Sequence, residues 1–216
     1  MNTTIRPKFV GDVIVYEVAQ PWSREAALLK AGSAASIGSV LGKILLAGAT
    51  AAAKSGNTGN GTIALDPTAP ILDGAKTGIY TVRFTTATAF TVENPDGDVI
   101  GTGVAGMAFS DDVVFTVTAG TTAFIAGDGF NVTVAAAAME KYAPLAPAAT
   151  DGSQHAAAIC IDEKIVSTAD QLIAIVARGA VVDPTFLVWP VGISASQQTA
   201  ALATLKALGI IARASI

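Results

Sequence analysis

The sequence predicts an α+β chain: a small core of β-strands with a C-terminal helix, interrupted by an all-β, sandwich-like insert. Three observations carry this reading. From Ser55 to Ala137, short β-branched and aromatic runs alternate with Asn-Gly, Asp-Pro, Pro-Asp-Gly and Gly-Asp-Gly turns, each of which reverses an extended chain. The flanks have a different texture, with apolar strand-like runs. Near the C-terminus, "SASQQTAALATLKALG" carries the start and stop signals of a helix.

The elements follow in order. In "FVGDVIVYEV", Val13, Val15 and Glu17 would share one face of an extended strand, and Ile14, Tyr16 and Val18 the other. Such a segment is either an edge strand of the protein's own sheet or an arm that orders by strand addition onto a partner. "SREAALLK", Ser23 to Lys30, reads as helical by propensity. A strand is expected over Val40 to Leu46. Asn57 to Gly61 reads as a flexible connection into the middle region.

Within the middle region, Tyr80, Val82 and Phe84 share a face. So do Phe115 and Val117, and Phe130, Val132 and Val134. This periodicity predicts an antiparallel sheet or small sandwich of about five to seven strands. In "YAPLAPAATDGSQHAAAI", the prolines disfavour helix and Asp151-Gly152 supplies a turn before an apolar strand. "QLIAIVARGAVV" predicts buried strand, and "PTFLVWPVG" a short apolar segment closed by Pro190 and Gly192. Ser194 and Gln197 have capping-box spacing. Ala201, Leu202, Leu205 and Leu208 line one stripe, Lys206 suits the helix C-terminal end, and Gly209 is placed as a left-handed stop. A closing strand, "IIARAS", is expected after it.

Composition narrows the function. Of 216 residues, 14% are charged and 51% hydrophobic, against roughly 25% charged in an average soluble domain. A surface so poor in charge favours repeated subunit contact. The net charge of −4 and the absence of a basic stripe argue against a nucleic-acid partner. Between Ser55 and Ala137, two basic residues, Lys76 and Arg83, face eight acidic ones, a net −6 that leaves +2 on the rest of the chain. No apolar run is long enough to predict a membrane span. The N-terminus lacks signal-peptide features, so synthesis in the cytoplasm is expected.

No catalytic, cofactor or metal site is predicted. Cys160 and His155 are the sole residues of their kinds, which excludes paired-thiolate and two-histidine zinc motifs within one chain. Five positions apart, they would point to opposite faces of a strand. Cys160 is expected in the core. Asp96 and Asp98 read as a turn, because the loop lacks the remaining EF-hand ligands. Adjacent Asp111 and Asp112 would diverge, unlike a glycosidase pair. Ser33, Ser36 and Ser39 read as solvated turns, and no G-x-S-x-G occurs. No glycine pattern matches a P-loop or dinucleotide fingerprint. Trp22 and Trp189, each beside a proline, are expected to be buried in the core or a subunit interface.

"GSVLGKI", "KYAPLAPAATDGSQHAAAICIDE", "VARGAVVDPTFLVWP" and "GIIARASI", in that order, resemble the head decoration protein D family of tailed bacteriophages. The resemblance covers roughly residues 9 to 47 and 140 to 216. It implies a non-catalytic α/β protein that binds the outside of the expanded capsid as a homotrimer at three-fold positions. Its partners would be the major capsid protein, its own copies and neighbouring decoration trimers, with neither nucleic acid nor membrane. It would sit on the outer surface of the virion's capsid.

On this resemblance, residues 1–20 form a capsid-binding arm, with Lys8, Phe9, Val10, Val13, Ile14, Val15 and Tyr16 as its contact residues. Residues 21–54 and 138–216 form a discontinuous core, in which Trp189 and Pro190 serve core or trimer contact. Residues 55–137 are an inserted domain expected to face outward. Compact family members lack this insert, whose "PILDGAKTGIYTV" and "GDGFNVTV" are similar to a domain attached to other phage decoration proteins. The competing readings are a carbohydrate-binding or host-adhesion module, a tail or baseplate structural protein, and a small hydrolase. The hydrolase is disfavoured by the missing nucleophile–base pair.

Overall fold

The computed structural model describes residues 7–214. The first part of the expected arm, residues 1–6, and the last residue of the expected closing strand, Ser215, lie outside them. The chain divides into two compact units, one comprising residues up to Leu45 and from Met139 onward, the other Leu46–Ala138.

The chain starts with a helical turn α1 (Val10–Val13), strand β1 (Ile14–Glu17), a second turn α2 (Gln20–Ser23), β2 (Arg24–Leu29) and a long β3 (Val40–Ala53). Then come β4 (Thr62–Leu65), β5 (Gly78–Phe84), β6 (Ala89–Glu93), β7 (Val99–Val104), β8 (Ala108–Ser110) and β9 (Val114–Thr118). The long β10 (Gly129–Pro144) is followed by β11 (Ala156–Cys160), β12 (Gln171–Val176), β13 (Ala180–Val182), α3 (Ala195–Ala207) and β14 (Ile210–Ala212).

In the first unit, β2, β12, β11 and β3 are neighbours in that order. The last part of β10 pairs parallel to β2, Lys141 opposite Leu28 and Tyr142 opposite Leu29. Leu29, Leu41, Ala158, Cys160, Ile173 and Ile175 form a buried cluster with Tyr142. A second cluster joins Val13, Val40, Ile159, Val176, Val182, Leu205 and Ile210, drawing α3 and the three-stranded sheet β1-β13-β14 into one core.

The helix follows from its ends. Ser194 Oγ accepts from Gln197 N at 3.2 Å, and Gln197 Oε1 accepts from Ser194 N at 2.9 Å. Together they satisfy two donors that a helix start leaves open. Gly209, at φ +79°, ends the helix in the left-handed region where a side chain is disfavoured. Ala201 and Leu205 are buried and Leu202 partly so, but Leu208 is exposed. Leu208 is the cap residue beyond the last turn, so the buried stripe ends at Leu205, one turn sooner than the spacing predicts.

Arg24–Leu29 is strand, not helix. All six residues pair with β12, Arg24 opposite Val176 through Leu29 opposite Gln171; tertiary pairing overrides a weak local propensity. The strand expected over Val40 to Leu46 continues to Ala53. Ser39 is buried, and its Oγ accepts from Ser36 N at 2.9 Å, so it is not a solvated turn residue.

The second unit packs two antiparallel arrays on one core. The beginning of β10 pairs with β5, β5 with β6 and β6 with β7, while β4, β9 and β8 form the other array. Tyr80, Val82, Phe84, Phe115, Val117, Phe130, Val132 and Val134 are all buried in one cluster. Phe84 stacks on Phe124 with centroids 4.0 Å apart and meets Phe90 edge-on at 5.5 Å, geometries that aromatic quadrupoles favour. Gly103 in β7 lies against the Phe90 ring, where a Cβ would be 2.4 Å from a ring carbon.

Asn57 to Gly61 is no loose connection. Asn57 exchanges two hydrogen bonds with the Gly129 backbone, at 2.7 and 2.8 Å. The buried Asp128 carboxylate accepts from Thr58 N, Gly59 N and Ile125 N at 2.8 to 3.1 Å. Polar side chains at both ends of the unit therefore replace a sheet ladder.

Candidate binding surfaces

The residues assigned to the arm lie on the first unit. Lys8 Nζ donates to the Phe186 carbonyl at 2.8 Å. Asp12 closes the α1 turn by accepting from Phe9 N at 2.8 Å, while its own N–H donates to the Phe9 carbonyl at 3.0 Å. Val13 is fully buried, and Val10 and Ile14 pack partly against the same cluster. β1 then runs antiparallel to β13, with a register shift between Ile14 and Tyr16. That shift breaks the expected two-face alternation: Val15 and Tyr16 are both exposed, as is Phe9. In the order β1-β13-β14, β1 is an edge strand. Glu17 anchors its end through a bidentate contact with Arg24, at 2.6 and 2.9 Å.

Trp189 packs partly against the core and, with Pro190, lines an apolar groove of about 560 Å³ that also touches Val188, Ile165 and Val166. Ile165 is 81% exposed and Val166 65%. Sequence reasoning missed this rim; its signal is the Ile-Val pair inside polar "DEKIVSTAD". Trp22 is 51% exposed, so of its two expected settings the chain's own core is ruled out, which leaves the subunit interface. It follows Gln20-Pro21 in the short α2 turn, which turns the indole outward.

The groups weighed for chemistry have structural partners. Cys160 is fully buried, its thiol donating to the Asp162 carbonyl at 3.3 Å; burial pushes the thiol pKa up, which suppresses thiolate chemistry. His155 is exposed just before β11, at the opposite end of that strand from Cys160 and ~16 Å away by strand rise. Asn94 Oδ1 accepts from Asp96 N and Asp98 N at 2.9 and 3.0 Å, closing a turn through Gly97 at φ +90°. Asp112 accepts from the Tyr80 hydroxyl at 3.0 Å, and that hydroxyl accepts from Lys76 N at 2.8 Å. Desolvation, opposed by that N–H, pushes the Tyr80 pKa up to about 12. Among the described residues, no group of His, Cys, Asp and Glu is arranged to hold a metal ion, and no helix is long and apolar enough to cross a membrane.

Among solved structures, the chain aligns with FlgL of Xanthomonas campestris at 21% identity and a TM-score of 0.32, covering 49% of this chain and 33% of that one. It aligns with the flagellar hook junction protein FlgK from Burkholderia pseudomallei at 21% identity and a TM-score of 0.34, covering 57% and 21%. The chain thus spans about a third of FlgL and a fifth of FlgK. No curated protein matches. The family model described as bacteriophage lambda head decoration protein D matches residues 3–210, through both units. The chain therefore belongs to the bacteriophage lambda head decoration protein D family and is a non-catalytic, virion-associated structural protein.

Proposed function

We propose that the protein decorates the outer surface of the phage head, binding the major capsid protein as a homotrimer at three-fold positions and stabilising the expanded shell. Family membership supports the reading, and the observation that carries it is the edge strand β1. Its apolar Val15 and Tyr16 are exposed beside a strand edge, the arrangement that accepts an added strand from a partner. A trimer engages several capsid sites at once, so modest contacts combine into strong retention. The segment 55–137, with its net charge of −6, faces away from the lattice in this reading and is open to neighbouring trimers.

Purified expanded capsids test it. The double variant Val15→Lys/Tyr16→Lys alters only exposed side chains of the arm and should bind at much lower occupancy than the unmodified chain while keeping its melting temperature. Occupancy equal to the unmodified chain would sink the arm's role. Failure of the unmodified chain to bind capsids would favour the alternative position, in a tail or baseplate.

A further inference from the structure

All aromatic rings of the second unit, six phenylalanines and Tyr80, are buried, so that unit offers no stacking platform. The first unit does. Trp22 lines a cleft of about 580 Å³ with Glu25, Lys43, Glu140, Tyr142 and Arg178, a volume within the range of small-ligand sites. The indole rests on Gly179, where there is no room for a Cβ. The Arg178 guanidinium lies 5.7 Å from the ring centroid and donates to the Trp22 carbonyl at 2.8 Å. The indole is thus held by Gly179 and Arg178, and Trp22 remains 51% exposed.

The charges of the cleft are already paired. Arg178 meets Glu25, and Lys43 Nζ lies 2.7 Å from Glu140 Oε1; two cations and two anions leave the cleft neutral. Tyr142 is different. It is 8% exposed, its ring belongs to a core cluster, and its side chain forms part of the cleft wall. Burial raises its pKa, with all four charged side chains acting on the phenol. From the cleft wall the phenol can both donate to and accept from a ligand.

We propose that this cleft binds a neutral, polyhydroxylated ligand, a short oligosaccharide, with Trp22 as the stacking face and Tyr142 as the central hydrogen-bonding group. An apolar sugar face matches the flat indole. Sugar hydroxyls donate and accept together, which suits the carboxylates of Glu25 and Glu140, the donors of Arg178 and Lys43, and a phenol that does both. A charged ligand would compete with ion pairs already formed at the cleft, whereas a neutral one leaves them in place. The cleft is formed entirely by the first unit and does not depend on where the protein sits in the virion.

Isothermal titration calorimetry of the full chain with maltotriose, triacetylchitotriose and sialyllactose tests the assignment. At least one neutral trisaccharide should bind with a Kd of about 1 mM or tighter. Tyr142→Phe, which removes only the hydroxyl, should weaken it roughly threefold to tenfold, and Trp22→Ala should abolish it. If Trp22→Ala fails to fold, Tyr142→Phe carries the test alone. Absence of heat from both neutral probes, tighter binding of sialyllactose, or unchanged affinity in Tyr142→Phe would overturn the proposal. So would a change in sedimentation mass of Tyr142→Phe without sugar binding, which would assign the cleft to contact between copies.

Discussion

The two units bury their cores with different side chains. The second stacks Phe84, Phe90, Phe109, Phe115, Phe124 and Phe130 into one connected aromatic cluster with Tyr80. The first uses aliphatic residues and alanines spread over two clusters. Large rings bring much buried area per residue but need glycines such as Gly103 to make room. Small side chains let strands and helix approach closely, so the first unit relies more on caps and ion pairs at its margins. The difference teaches where each unit is vulnerable: the second at single rings, the first at the elements that close it.

Phe84→Ala should show the largest effect, because Phe84 touches Phe90, Phe124 and Phe130; a loss of about 3–5 kcal/mol is expected by chemical denaturation. A loss below 1 kcal/mol would break the picture of a connected aromatic core. Leu205→Ala removes the main α3 anchor and should lower stability by about 2–4 kcal/mol. Reactivity of the buried Cys160 thiol toward an aromatic disulfide reports opening of the first unit. It should rise in Leu205→Ala, and an equal rise in Phe84→Ala would show that the two cores fail together.

Acid should act on the second unit through Asp128. The backbone N–H groups of Gly59 and Thr58 are the leading causes that hold its pKa below 3.8. Its contribution to stability is therefore present above pH 3.8 and lost as pH falls through the lower folded-state value. Asp66 is lowered the same way by Ala69 N and Thr68 N, and in the first unit Asp170 by Lys141 and Ala31 N. Asp128→Asn should lower the melting temperature at neutral pH and flatten the acid dependence below pH 3.8 without abolishing it. An unchanged acid profile would contradict the Asp128 latch. The smallest effect, about 1 kcal/mol, is expected for Ser194→Ala, which removes the α3 cap.

The same contrast explains what could be read without coordinates. Tyr80, Val82 and Phe84 alternate along a strand whose inner face is uniformly apolar, so their burial is written in period two. Ser194, Gln197 and Gly209 mark a helix by local chemistry alone. Arg24–Leu29 has no such local mark: its conformation is decided by β12, about 145 residues later in the chain. Asn57 and Asp128 look like turn residues because their hydrogen bonds cross some seventy positions. The arm's apolar residues were legible, but the shift that exposes Val15 and Tyr16 together arises from pairing with β13. The Trp22 cleft gathers Glu25, Lys43, Tyr142 and Arg178 from four stretches of chain, with no motif to announce it.

Electron cryo-microscopy of virions, with this chain fitted to the density, tests the central claim most directly. The account predicts three copies around each occupied three-fold position on the outer capsid, with the edge of β1 against the major capsid protein. Density for the chain in the tail or baseplate and none on the capsid would contradict it.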